Sequence, residues 1–202
     1  MKVSDYVTNF LLEKGINKCF SVTGGFAMHL NDSFGQKLDV THTHGEQPAG
    51  YAALGWSSYE HNPSVCCVTS GCGATNAITP CLIAYQDSVP VFFISGQVHR
   101  DDNIRSSGAT HRGYFGSDCD IIDSVKGMTK YATELADPKD THRVLQECYE
   151  NLTTGRLGPV WLSIPVDVQS MQVPDMIPTR LDLKTDTIQG LPDEFTQLWL
   201  KS

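Results

Sequence analysis

One pattern, repeated along the first 165 residues, constrains this chain most: a short apolar run, a glycine-rich or polar turn, then a segment with helical spacing. "KCFSV" ends in Thr23-Gly24-Gly25 and leads into "FAMHLNDSF", and "LDVTHTH" leads into "EQPAGYAALGWSSYE". "SVCCVTS" is followed by a loop, "GCGATN", and then by "AITPCLIAYQD"; "VPVFFISG" and "GPVWLSIP" complete the set. Strands that alternate with helices pair in parallel through crossovers, so the sheet has both faces covered. The runs "VCCV" and "VFFI" suit central strands buried on both sides. The predicted fold is therefore α/β, a three-layer αβα unit around a central, mostly parallel sheet.

Helix signals agree with this reading. Val3, Tyr6, Val7, Phe10 and Leu11 recur at helical spacing, with Gly15 as a left-handed stop. In "ADPKDTHRVLQECYENLTTG", Asp137 can accept from the free N–H groups of the first turn, Pro138 is tolerated there, and Gly155 lies past the end. From Gly96 to about Asp118 the chain is polar, with Arg100, Asp101, Asp102, Arg105, His111 and Arg112, and reads as one long loop. After Pro165, two prolines, Pro174 and Pro178, among polar residues and the lack of a helical period predict an extended linker. "LPDEFTQLWLKS" reads as the opening turns of another helix. The expected organisation is a domain over residues 1–170, then a linker and the start of a following domain over 171–202.

Charge and cysteine usage narrow the function classes. A net charge of −8 and a pI near 5.2 argue against nucleic acid or an anionic membrane as partner, since both require a basic face. The first residues lack a signal-peptide pattern and no run reaches the ~18 apolar residues of a membrane span. Seven cysteines, two of them adjacent, fit neither a disulfide framework nor a C-x-x-C zinc pattern. They read as small buried residues in a reducing, cytoplasmic setting.

In open α/β sheets the ligand crevice lies at the carboxyl ends of the strands. Three junctions fall there: Thr23-Gly24-Gly25, Gly45-Glu46 and Ser70-Gly71-Cys72-Gly73. Neither glycine loop matches G-x-G-x-x-G, and no G-x-x-x-x-G-K-[ST] loop is present, which argues against nucleotide binding by those devices. Glu46 opens a helix, where free N–H groups favour an ionised carboxylate while an apolar crevice disfavours it. It is either a simple first-turn acid or a group whose proton the environment controls. His42, His44 and Glu46 alternate as on one strand face, which admits a metal site. Against that, His42 and His44 read as packed histidines at the end of a buried strand, and the helix start turns Glu46 away. Cys72 reads as a wall residue, since no base is marked beside it.

Taken in order, "FSVTGGFAMHLNDSF", "THTHGEQPAGYAALG", "CCVTSGCGATNAI", "YQDSVPVFFISGQV", "MTKYA" and "GPVWLSIPVDVQ" resemble the amino-terminal pyrimidine-binding domain of thiamine-diphosphate-dependent enzymes of the acetolactate synthase type. The resemblance covers residues 1 to about 170. It implies the thiamin diphosphate-binding fold and a carboligase or decarboxylase of 2-keto acids, some relatives of which serve sugar and polysaccharide biosynthesis. It also implies that Glu46 hydrogen-bonds N1′ of the cofactor's aminopyrimidine, favours its imino form, and so supports deprotonation of the thiazolium C2 that attacks the keto acid. Thr23, Gly24 and Gly25 stand at the family's Pro-Gly-Gly turn beside the cofactor, and Cys72 and Asn76 in its "S-G-P-G-A-T-N" loop. Two family prolines are thus replaced, by Thr23 and Cys72, and "RGYFGSDCD" lacks the family's Gln-Glu pair.

The chain has no Gly-Asp dipeptide and no Asn pair of the kind that marks the diphosphate-binding half. The resemblance therefore places Mg²⁺ and the diphosphate on another domain, of the parent protein or of another subunit, in a homodimer or tetramer; it leaves flavin open. By this reading the chain is incomplete alone and is a piece of a longer protein. The alternatives are a split subunit or non-catalytic relic of the same fold, and a metal protein using His42, His44 and Glu46.

Overall fold

The computed structural model describes residues 1–108, 112 and 117–174. In chain order the elements are α1 (Val3–Glu13), β1 (Lys18–Ser21), α2 (Met28–Lys37), β2 (Asp39–His42), α3 (Glu46–Glu60), β3 (Ser64–Val68), α4 (Cys72–Asn76), α5 (Ile78–Gln86) and β4 (Val91–Gln97). They continue with α6 (Ile104–Ser107), α7 (Ile121–Val125), β5 (Tyr131–Glu134), α8 (Thr141–Thr153), β6 (Val160–Pro165) and α9 (Val166–Ser170). The six strands form one sheet in the order β2-β1-β3-β4-β6-β5, and every pairing is parallel.

Alternation along the strands divides the core into two layers. Cys19, Val65, Cys67, Phe92, Ile94, Val160 and Leu162 pack with Val7, Leu11, Phe34, Val144 and Leu152 from α1, α2 and α8. Phe20, Cys66, Val68, Phe93 and Trp161 pack on the other face with Ala49, Ala53, Cys81 and Val125 from α3, α5 and α7. The adjacent Cys66 and Cys67 thus belong to opposite layers. Trp161 stacks on Phe93 with ring centroids 5.1 Å apart, and its indole N–H donates to Ser95 Oγ at 3.0 Å. A buried indole needs such a partner.

Five cysteines, Cys19, Cys66, Cys67, Cys81 and Cys148, are buried, as their composition suggested; Cys119 is half-buried and Cys72 exposed. Burial pushes the Cys67 thiol up to about 12 and raises Cys19, Cys66, Cys81 and Cys148 as well. A thiol must ionise to react. Native titration with a disulfide reagent is therefore expected to modify Cys72 quickly and Cys119 more slowly, with the other five responding only after unfolding. Fast reaction of three or more would contradict this packing.

Several expectations are corrected. β2 is an edge strand, so His42 is exposed, and His44 lies beyond the strand, also exposed. The buried-strand reading failed because the apolar pattern does not reveal which strand ends the sheet. "GCGATN" is not a loop: Cys72–Asn76 is a helical turn leading almost directly into α5. The stretch after Pro165 is not extended at its start, for Val166–Ser170 is helical, and Lys2 bridges to Gln172 beyond it. Val168 and Gln169 are buried there, an anchoring that a composition rich in proline and polar residues does not announce. The rest of the expected linker, from residue 175, and the expected helix near the end lie outside the described residues.

The long segment after β4 is also more ordered than a plain loop. Arg100–Asp102 forms a 3-10 turn, and Asn103 caps α6 by accepting from the Arg105 N–H at 2.8 Å. Of the residues singled out there, His111 lies outside the described residues. Strand β5, not recognised as a strand beforehand, is an edge strand with mixed polarity, which weakens its apolar signal.

Asn103 is fully buried and donates from Nδ2 to Glu134 Oε2 at 2.8 Å. Burial raises the Glu134 carboxyl above its ordinary value of 4.5, against the pull of the Asn103 hydrogen bond and of Arg105. A folded-state pKa above the unfolded one means the folded chain binds the proton more tightly. Its stabilising contribution is thus complete below about pH 4.5 and is lost as pH rises through the higher folded value. Relative to Glu134→Gln, the parent chain should lose stability across that window and then run level. Denaturant midpoints measured from pH 4 to 8 check this, and an unchanged difference would contradict it.

Candidate functional site

Strand order decides where the crevice lies. β1 and β3 are neighbours, but the chain leaves β1 toward β2 on one side and leaves β3 toward β4 on the other. Such a reversal opens a gap at the carboxyl end of the sheet, because the two connections diverge. The loop after β1 carries Thr23, Gly24 and Gly25; the loop after β3 carries Thr69, Ser70 and Gly71 and enters α4. Helix α3, which covers β1 and β3, begins at Glu46.

The helix starts at Glu46 because Gly45 is extended (φ −166°, ψ 153°) and the following "QPAGYAALG" is small and helix-permissive, with Pro48 inside the first turn where its missing N–H costs nothing. Small side chains at Ala49, Gly50 and Ala53 let α3 approach the sheet and α5, and all three are buried. A Cβ on Gly50 would run into Pro80 of α5, its Cβ lying within 2.8 Å.

Of the predicted residues, Glu46 and Asn76 are joined directly: Asn76 Nδ2 donates to Glu46 Oε2 at 3.1 Å. The other carboxylate oxygen, Oε1, lies 3.4 Å from where a Cβ on Gly73 would stand. Gly24 is brought to the same place, since a Cβ there would collide with Thr69, with Cγ2 at 2.7 Å and Oγ1 at 2.8 Å. Thr23 and Gly25 flank it and are exposed, as are Cys72 and Asn76; Glu46 and Gly24 are half-buried. Gly71 has φ +58°, a left-handed conformation that favours glycine, and a Cβ there would stand 2.5 Å from the Ser117 carbonyl oxygen. Ser117 therefore lies against the loop after β3.

Two hydroxyl residues follow β3 here, Thr69, which sequence reasoning passed over, and Ser70, which it named only as the start of the Ser70-Gly71-Cys72-Gly73 junction. Thr69 Oγ1 and Ser70 Oγ are buried without a hydrogen-bond partner among the described residues. Their signal was present only as position: they follow the buried strand "SVCCV" at its carboxyl end, at the switch point. The alternative metal site is not assembled, since no group of three or more His, Cys, Asp or Glu side chains that could hold a metal ion occurs among the described residues. The division at Gly45 is the reason, with His42 ending an edge strand and Glu46 opening a helix. Among the described residues no helix is long and apolar enough to cross a membrane.

This arrangement has a carboxylate with one oxygen held by Asn76 and the other beside Gly73. A Cβ is excluded by the Thr69 side chain at both Gly24 and Gly73, so each glycine lets its backbone approach that side chain closely. Glu46 and Asn76 thus bring a carboxylate and an amide together beside these glycines.

The comparisons with known proteins identify the family. Residues 1–124 match the family model described as "Thiamine pyrophosphate enzyme, N-terminal TPP binding domain". The chain is 34% identical over 179 residues to the acetolactate synthase large subunit of Corynebacterium glutamicum, covering 88% of this chain and 27% of that protein. It is 32% identical over 183 residues to the large subunit of Lactococcus lactis, covering 89% and 30%. With the chloroplastic acetolactate synthase 2 of Nicotiana tabacum it shares 30% identity over 197 residues, covering 96% and 28%. The chain thus spans between 27% and 30% of the lengths of these relatives. Resembling them in sequence over nearly all its length and carrying the parallel sheet and crevice described above, the chain belongs to the family of thiamine pyrophosphate enzyme N-terminal, TPP-binding domains.

Proposed function

We propose that this domain is the cofactor-activating part of a thiamine-diphosphate-dependent carboligase or decarboxylase acting on 2-keto acids, with Glu46 as its proton-handling group. The observation that carries this is the Glu46 carboxylate at the first turn of α3, held through Oε2 by Asn76 at 3.1 Å, with Oε1 beside Gly73. When bound, thiamine diphosphate supplies a carbon nucleophile for the keto-acid carbonyl and a sink for the electrons released when carbon dioxide leaves.

Glu46 would hold a proton at a ring nitrogen of the cofactor, the position its free oxygen can serve. Asn76 would orient the carboxylate, because an amide that donates to one oxygen leaves the other as the acceptor or proton carrier. Thr23, Gly24 and Gly25 would form one wall and Cys72 the other, the glycines allowing close approach to a flat ring. Burying this pair against the ligand excludes water, which strengthens a charge-assisted hydrogen bond.

By the same reading the diphosphate and its Mg²⁺ are held by a second domain, of the same protein or a partner copy, in a cytoplasmic homodimer. Lack of a Gly-Asp dipeptide or an Asn pair in the chain supports that division. The test is carbon dioxide release from pyruvate by the protein that joins this domain to a diphosphate-binding domain. Release that depends on added thiamine diphosphate and Mg²⁺ is expected; release indifferent to both would overturn the reading.

A further inference from the structure

Thr69 occupies an unusual position between the two loops that frame the crevice. Its Cγ2 lies 2.7 Å from the point a Cβ on Gly24 would take, and 2.6 Å from the corresponding point on Gly73. A single methyl group is thus packed against both glycine α-carbons, one from the loop after β1 and one from α4. Its hydroxyl is buried and makes no hydrogen bond among the described residues. The side chain is therefore fixed by its shape rather than by a polar contact, and a β-branched residue has a stiff χ1 suited to that role.

What the methyl fixes leads to Glu46 in two short steps. Gly73 belongs to the first turn of α4, and the same five-residue helix ends in Asn76, which donates to Glu46 Oε2. Gly73 is also the residue that Glu46 Oε1 faces. Any change in the separation of α4 from the loop after β1 would move the Asn76 amide relative to the carboxylate. Hydrogen bonds weaken steeply with distance and angle, so a displacement below 1 Å is enough to matter.

We propose that Thr69 is a positioning residue for Glu46: its γ-methyl, wedged between Gly24 and Gly73, sets the stand-off of α4 and so holds the Asn76 amide on the carboxylate. The consequence for catalysis rests on the function proposed above, but the positioning itself does not. The hydroxyl is dispensable in this account. A buried hydroxyl with no partner is destabilising, so valine, which keeps the methyl and removes the hydroxyl, should be tolerated or better than tolerated. Serine, which keeps the hydroxyl and removes the methyl, should leave a gap between the loops.

The experiment uses the 202-residue chain, without cofactor, labelled with nitrogen-15. The Asn76 side-chain NH₂ resonances are followed from pH 3 to 8 as Glu46 titrates, in the parent chain, Thr69→Val and Thr69→Ser, with Glu46→Gln to identify the Glu46-dependent shift. Thr69→Val is expected to keep the full titration-dependent shift and to raise Tm by about 2–4 °C, the response of a chain this size to about 1 kcal/mol. Thr69→Ser is expected to lose half or more of the shift. Retention of the full shift in Thr69→Ser, or its loss in Thr69→Val, overturns the proposal, the latter because the hydroxyl would then be the active group. A second arm measures thiamine diphosphate affinity in the longer protein. Should Thr69→Ser weaken the Asn76 response and leave affinity and turnover untouched, the positioning stands and the cofactor reading of Glu46 fails.

Discussion

In the protein that joins this domain to a diphosphate-binding domain, Glu46→Gln is expected to lower turnover of a 2-keto acid by about 10²–10⁴-fold, the usual contribution of a positioned proton-transfer group. Glutamine has nearly the same shape and its amide oxygen can still accept from Asn76 Nδ2, so the contact now 3.1 Å long can survive. What is lost is the ability to take and return a proton. The fold should be indifferent, because Glu46 makes no ion pair among the described residues and its side-chain hydrogen bond to Asn76 has a substitute. Carbon dioxide release from pyruvate measures the loss, and thermal unfolding of the 202-residue chain gives the control, with Tm unchanged to within about 2–4 °C, or about 1 kcal/mol. Undiminished turnover would remove Glu46 from the mechanism. A similar loss accompanied by a large drop in Tm would assign the residue a structural role.

Gly96→Ala is the change expected to damage the fold most among the glycine positions. Gly96 lies in β4, a central strand, and an added Cβ would run into the Phe26 carbonyl and stand 2.8 Å from the Ala27 backbone nitrogen. Both obstacles are backbone, so no side-chain rotation can relieve the overlap. Either β4 or the turn over Gly25–Ala27 must shift, and that turn follows Gly24 directly. Overpacking a core typically costs about 1–3 kcal/mol and sometimes more; with backbone on both sides we expect about 3 kcal/mol, or a Tm lower by roughly 6–12 °C. Cofactor binding in the longer protein should weaken in parallel because the glycine loop moves. Gly55→Ala is the control: nothing lies within 4 Å of a Cβ there, in the middle of α3. It should gain stability by about 0.5–1 kcal/mol through better helix propensity. Equal effects at the two positions would show that the close approach at Gly96 is not what the packing requires.

Much of the architecture was legible because its signals are local. "EQPAGYAALGWSSYE" gives a helix over the same residues as α3, since Gly45 marks its start and small and apolar residues continue it. "VCCV" and "VFFI" are buried throughout in β3 and β4, as uninterrupted apolar runs should be in a sheet covered on both faces. Gly15 and Gly155 both lie in the left-handed region past α1 and α8, where a helix ending needs a residue without a Cβ penalty. Asp137 does accept from a backbone N–H, that of Lys139 at 2.9 Å, though at a 3-10 turn that runs into α8.

The errors share one cause: they concern what neighbours a segment rather than what it contains. β2 was read as a buried strand although Val40 is its one apolar residue; it stands at the sheet edge and leaves His42 in solvent. "GCGATN" has the glycines of a loop but is held in a helical turn, its Thr75 N–H donating to the Gly71 carbonyl at 2.9 Å. α9 has no helical period, yet Gln169 Nε2 donates to the Phe26 and Ile164 carbonyls at 2.7 and 2.8 Å and ties it to the body of the domain.

For the candidate site, the sequence by itself determined a glutamate opening a helix and two glycine turns after apolar strands, whereas Asn76 entered only through the family resemblance. Local rules fix the helix start and the turns because capping, left-handed turns and apolar periodicity act over a few residues. Only the tertiary structure decided that Glu46 and Asn76, thirty positions apart, share a hydrogen bond, and that His42 and His44 do not join them. It also decided that Thr69 would stand between Gly24 and Gly73. These outcomes depend on strand order, which brings β1 beside β3 and sends their connections apart, and that order is set by how the whole core packs rather than by any one segment.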